Sequence, residues 1–257
     1  MEGLEDFEGT EISNYSEGLQ NEGMSDAQRE YMQEVIPDSK DWLNMTYEEK
    51  LDSVNLMEVR LDEMQFPLDA MPHEYFECVS DLKQLEQFNN IDCIENCIIT
   101  SDSFYSSGLS EKFMEGDIET RELIAQAFFD EIKADLGLDP DIPLEFCEMD
   151  SLGGYSPGAN CITLNESYLE HPDPRGLLKT IVHESEHAFQ QQVVDNPDLY
   201  PDVSSKAIAE WTYNMEHYKD VENFGFEEYR NQPVEKDAFA FESYVFAQVD
   251  KLKNLRD

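Results

Sequence analysis

Basic residues are scarce in this chain: 17 Lys and Arg stand against 58 Asp and Glu, a formal net charge of −41 over 257 residues. A surface so uniformly negative repels phosphate backbones and anionic headgroups, which argues against direct binding to nucleic acid or to an anionic membrane. Long apolar runs are missing too, and none approaches the roughly 20 residues that a membrane span requires. The opening Met-Glu-Gly-Leu-Glu-Asp-Phe-Glu carries neither the basic region nor the apolar core of a secretory signal. These absences predict a cytoplasmic protein, with export by a signal-free route as the alternative. Cysteines number only five: Cys93 and Cys97 are four apart, Cys78, Cys147 and Cys161 are scattered, and no Cys-x-x-Cys pair occurs. That excludes a structural zinc knuckle and predicts buried free thiols in a reducing compartment.

What is present is enough apolar material for a core, with 40% hydrophobic residues including 15 Phe and 12 Tyr. The acidity therefore overlies a folded protein. Roughly the first 25 residues, rich in Glu, Gly, Ser and Asn, bury too little to offset their ordering entropy and read as a flexible acidic tail. Helical patterning starts near Asp26, with Thr46 and Glu49 as a capping box and Leu51, Val54, Leu56 and Val59 near helical spacing. Residues 1–64 are expected to form an acidic, partly flexible helical extension, and 65–257 a second, catalytic-sized domain. Pro67 and Pro72 precede another helical stretch around Cys78–Phe88. Ile118 to Leu136, with Leu123, Ile124, Ala127, Phe128, Ile132 and Leu136 on one side, predicts a core helix ended by Gly137 and Pro140. Ile142–Cys147 and Cys161–Asn165 read as two short strands, with turns at Gly153-Gly154-Tyr155 and Pro157-Gly158 between them.

Residues 183–187 read His-Glu-Ser-Glu-His, and chemistry explains the spacing. A helix turns about 100° per residue, so imidazoles at i and i+4 stand one turn apart on one face and can share a zinc ion. Glu184 then projects beside the metal, placed as a general base for a metal-activated water. The context is helical: Asp173-Pro174 forms a start signal, and after Gly176 no Gly or Pro follows until Pro197. Leu177, Leu178, Ile181, Val182, Ala188, Phe189 and Val193 share a broad apolar face, with both histidines at a separate angle.

A catalytic zinc normally has three protein ligands and one open position. Gln190 and Val193 stand where a metzincin has Gly and His, which excludes that branch, and His73, His171 and His217 lie in unremarkable contexts. A carboxylate from a later helix is expected instead. Glu210 and Glu216 are candidates on the segment Ser204–Lys219. Glu235 is preferred, in the first turn of a helix opened by Pro233 and carrying Ala238, Phe241, Val245 and Val249 as its apolar positions. Asp237 is a candidate acceptor for a ligand imidazole, a role such sites usually fill.

The pairing of His-Glu-Ser-Glu-His-Ala-Phe-Gln with Gln-Pro-Val-Glu-Lys-Asp-Ala-Phe-Ala-Phe resembles the gluzincin branch of the zincin metallopeptidases, in particular small bacterial and phage-type members. The resemblance covers roughly residues 140–250. It implies an α+β, helix-dominated zincin-like domain with a small sheet preceding the metal-binding helix. It also implies zinc held by His183, His187 and Glu235, and hydrolysis of a peptide or protein substrate, as an endopeptidase more than an exopeptidase. In such proteins the strand before the metal helix lies at a sheet edge and pairs with extended substrate, a place that Cys161–Asn165 would take. A donor to the oxyanion is also needed. Tyr229, Tyr213 and His217 are candidates, and Tyr229 is carried forward as catalytic. The competing expectation is a catalytically inactive, acidic regulatory protein on the same scaffold, for instance a DNA mimic. A further alternative has the N-terminal region covering the cleft, with His73 or Cys78 at its far edge.

Overall fold

The structure, a computed structural model, describes residues 35–64, 73–86 and 91–256 together with Ser25, Gln28, Met32 and Phe88. The acidic tail expected over the first residues lies outside the described part. The chain divides into two compact units, Met1–Leu85 and Glu86–Asp257. This boundary falls beyond the 64/65 junction expected from sequence, because the helix that follows packs back onto the first unit.

In the first unit, α1 (Ser39–Asn44), α2 (Tyr47–Glu63) and α3 (His73–Leu85) enclose Met32, Val35, Trp42, Val54, Met57, Leu61, Tyr75, Cys78 and Leu82. Thr46 caps α2 in a full capping box with Glu49. The buried stripe of α2 runs through Lys50, Val54, Met57 and Leu61, whereas Leu51, Leu56 and Val59 are exposed. The expected face was thus rotated. Lys50 fits in this stripe because its ammonium reaches Asp81 at 3.8 Å and lies over the Trp42 ring, whose Nε1 donates to the same carboxylate at 3.0 Å. Cys78 is buried in this core.

The second unit comprises α4 (Ile91–Ser106), α5 (Leu109–Glu115), α6 (Ile118–Asp135), a three-stranded sheet, then α7 (Ser167–Glu170), α8 (Arg175–Asp195), α9 (Ser205–Glu216), α10 (Val221–Phe224), α11 (Phe226–Arg230) and α12 (Pro233–Asn254). It is an α+β unit dominated by helix. α12 packs on both α8 and α4, and α6 on α4 and α8. In α6 the buried residues are Ala125, Phe128, Phe129 and Ile132, with Leu123 turned to solvent. Among the described residues no helix is long and apolar enough to cross a membrane.

Strands β1 (Leu144–Cys147), β2 (Gly153–Ser156) and β3 (Cys161–Asn165) lie in the order β1-β3-β2, with β1 parallel and β2 antiparallel to β3. Two expectations change here. Gly153-Gly154-Tyr155 is a strand and not a turn, and β3 is central, so the edges are β1 and β2. Gly153 makes that edge possible. A Cβ there would meet Leu164 Cδ2 at 2.7 Å and Thr180 Cγ2 at 2.8 Å, so only glycine lets β2 lie this close to α8. Of the five free thiols, Cys78, Cys97 and Cys161 are buried as expected, while Cys147 is exposed at the end of an edge strand.

Candidate metal centre

Helix α8 is buried on almost every side, including His183, Glu184, Ser185, Glu186 and Gln190, because α12, α6, α9 and the sheet all pack around it. Its start is close to that expected: Asp173 Oδ1 accepts the Arg175 N–H at 3.0 Å, and Pro174 occupies the cap position. The helical spacing brings His183 Nε2 and His187 Nε2 to 3.2 Å from each other. From α12, Glu235 reaches the same point, with Oε2 3.4 Å from His183 Nε2 and Oε1 3.4 Å from His187 Nε2. Pro233 opens α12 and aims this first-turn carboxylate at α8.

These three form the group of His and acidic ligand atoms that could hold a metal ion among the described residues. The three side chains form a triangle in which the two Nε2 atoms are 3.2 Å apart and each faces a different Glu235 oxygen at 3.4 Å, spacings close to the roughly 3.3 Å between donor atoms about 2.0–2.1 Å from a tetrahedral zinc. Glu235 Oε2 is buried and has no hydrogen-bond donor of its own, a costly state for a carboxylate that a bound cation would relieve. The donor set, two imidazoles and one carboxylate, suits zinc.

The groups behind the ligands are only partly those expected. Asp237 accepts from Trp211 Nε1 at 2.8 Å and so holds α9 to α12 instead of bracing an imidazole. The acceptor for His187 is Gln190, whose Oε1 lies 3.0 Å from Nδ1. Behind His183 stands Glu242, 3.7 Å from Nδ1 and paired through its other oxygen with Lys179 Nζ at 2.8 Å. Tyr218 OH donates to Glu235 Oε1. None of Gln190, Glu242 or Tyr218 was singled out from sequence: the Glu242 and Tyr218 contacts cross between elements, and Gln190, though one turn from His187, is fixed by the Val234 carbonyl of α12. Glu210 is exposed and paired with Lys206, and Glu216 is exposed as well, so neither reaches the histidines.

Electrostatics follow from this crowding of carboxylates. Burial works against a charged His183, but the Glu235 and Glu242 carboxylates close to its two ring nitrogens and the charge of Glu184 outweigh it and raise its pKa to about 10. Burial likewise opposes ionisation of Glu235, yet both histidines and Tyr218 hold its carboxyl well below the usual range.

Glu184 lies beside this triangle. Its Oε2 accepts the backbone N–H of Tyr155 at 2.8 Å, from the edge strand β2. Leu152 and Asn165 form a hydrogen-bonded pair through Asn165 N–H at 3.0 Å. By antiparallel alternation, Gly153 and Tyr155 therefore turn their N–H and C=O groups away from β3 toward the open edge. Glu184 and His187 line an open cleft of about 500 Å³, with Gly153, Gly154, Tyr155, Tyr218, Tyr229 and Glu235 around them. A second cavity of about 440 Å³ meets the first at Gly153, Glu184 and Tyr229, and is walled by Leu152, Val221, Phe226 and Phe239. Of the expected oxyanion donors only Tyr229 faces this cleft. Tyr213 is exposed and stacked on the His217 ring at 4.2 Å, away from it. Burial, with Glu235 and Glu184 nearby, pushes the Tyr229 hydroxyl upward, so it stays a proton-bearing donor at neutral pH.

No protein-family model, curated protein or solved structure matches this chain.

Proposed function

We propose that this chain is a zinc-dependent peptidase of zincin type. The observation that carries the reading is the convergence of His183, His187 and the Glu235 carboxylate, set in an open cleft beside a buried carboxylate held at a sheet edge. Zinc bound by these three would supply Lewis acidity, polarising a carbonyl and lowering the pKa of a water to about 7. The residues around it would do the rest. Glu184, fixed by the Tyr155 N–H, would take the proton from the attacking water and pass it to the leaving amine. The Tyr229 hydroxyl would donate to the oxygen that becomes negative as the peptide carbonyl turns tetrahedral. An extended substrate would pair with the outward-facing backbone groups of β2, as added strands do at sheet edges. On this reading substrate pairs with the edge strand β2 and not with the central β3. A cleft that adjoins a second cavity at Gly153, Glu184 and Tyr229 leaves room for chain beyond the metal site and suits endopeptidase action.

The test is zinc binding and proteolysis measured on the wild type and on Glu184→Gln. Stoichiometric zinc in both, with cleavage of unfolded protein substrates lost only in the variant, is the expected result. Zinc in both with equal inertness would instead favour the acidic regulatory protein on this scaffold, and absence of zinc from the wild type would remove the metal centre.

A further inference from the structure

Gln190 is fully buried, one turn beyond His187 on α8, and uses both ends of its amide. Its Nε2 donates to the Val234 carbonyl at 3.0 Å and its Oε1 lies 3.0 Å from His187 Nδ1. These two contacts fix each other. A backbone carbonyl only accepts, so the amide must turn its NH₂ toward Val234 and its oxygen toward the imidazole. An amide oxygen also only accepts, so Nδ1 of His187 must carry the ring proton. The lone pair of the neutral ring is then left on Nε2, the atom that meets His183 and Glu235. Val234 is the residue before Glu235, and its N–H is held by Asn214 Oδ1 at 3.0 Å. One side chain thus sets the tautomer of the second histidine and ties it to the backbone that delivers the carboxylate.

We propose that Gln190 is a positioning residue of the metal centre, holding His187 as the Nδ1–H tautomer and locking that ring to the first turn of α12 as one rigid unit. This rests on the zinc reading given above. Without Gln190, a neutral imidazole is free to take the Nε2–H form that unconstrained histidine favours, and its lone pair then points away from Glu235. Outer partners of this kind are worth 10–100-fold in metal affinity. Methionine at 190 fills a similar volume without either hydrogen bond.

Two measurements test the proposal. Zinc affinity, by competition with a chromogenic chelator, is expected to fall 10–100-fold in Gln190→Met. Nitrogen-15 shifts of His187 in the zinc-free wild type, at a pH where the ring is neutral, are expected to show Nδ1 protonated and Nε2 bare. A Gln190→Met protein that keeps wild-type zinc affinity, or a wild-type His187 protonated on Nε2, overturns it. Should the variant fail to fold, the wild-type spectrum still decides. A wild type that binds no zinc defeats the proposed function, whereas the tautomer reading then still stands or falls on its own.

Discussion

Glu184 Oε2 and the backbone N–H of Tyr155 are 2.8 Å apart, which joins the buried carboxylate of the metal helix to the free edge of the sheet. On the proposed function, base and substrate-pairing strand are registered by one bond. Because that N–H faces away from β3, proline at 155 costs no ladder hydrogen bond. Tyr155→Pro is expected to keep zinc and lose about 10–100-fold in kcat, the equivalent of one hydrogen bond to a charged group. Steady-state kinetics with metal analysis check it.

The two carboxylates weighed for the third ligand position should separate cleanly. Glu235→Ala removes a buried oxygen pair from the triangle and is expected to abolish stoichiometric zinc, while Glu210→Ala, at an exposed site, leaves zinc content unchanged. A zinc measurement on both variants, after dialysis against a weak chelator, decides between them.

Proton linkage follows from His183. Its folded-state value of about 10 lies above the ordinary value of 6.5, so in zinc-free protein its contribution to stability is full below about 6.5 and is lost as pH rises toward 10. Glu235 acts in the opposite sense: its depressed carboxyl contributes above the ordinary value of 4.5 and loses that contribution as pH falls. Melting temperatures of chelated protein are expected to decline between pH 7 and 10, and those of zinc-loaded protein to stay flatter. Zinc binding near pH 7.5 should release about one proton, since the ligand must be bare to bind. Calorimetry in buffers of different ionisation enthalpy reads that number.

Tyr229→Phe is expected to lower kcat by about 10²–10³ with zinc retained and KM little changed, the signature of an interaction made only in the transition state. Tyr213→Phe, at a residue stacked on His217 at the surface, should leave kinetics unaltered.

How much of this was legible in the sequence depended on the range of the interaction. His183 and His187 converge because helical geometry puts i beside i+4, and Glu235 joins them because Pro233 marks where its helix begins. Glu242 and Tyr218 are set by contacts between segments distant in sequence, and Gln190, although one turn from His187, is held by the Val234 carbonyl of α12, none of which a local pattern encodes. The Gly153-Gly154 pair read as a turn because glycine usually signals one, whereas here the missing side chain lets a strand approach α8. In α2, Leu51, Leu56 and Val59 suggested a face, yet the packed stripe includes Lys50, whose charge is matched only by the distant Asp81.

Gly153 offers a further check on the edge strand. A methyl group there would lie within 2.8 Å of Thr180 Cγ2, an overpacked contact that costs about 1–3 kcal/mol. Gly153→Ala is expected to lower stability by that amount in urea melts and to reduce peptide cleavage. Gly154→Ala, where a Cβ would meet nothing within 4 Å, should do neither.

The stretch between α9 and α12 is closed at its neck by Gln232, whose Oε1 accepts from Asn214 Nδ2 and the Lys219 N–H and whose Nε2 donates to the Lys219 carbonyl, each at 2.9 Å. Such a clasp separates two design problems. Residues 220–228, with Val221 and Phe226 on the rim of the second cavity, can change in length or character without shifting the ligands on α8 and α12. If the proposed function holds, preference for one polypeptide over another can drift quickly in evolution, or be rewritten in the laboratory by loop exchange, while the His183–His187–Glu235 cluster is inherited unaltered.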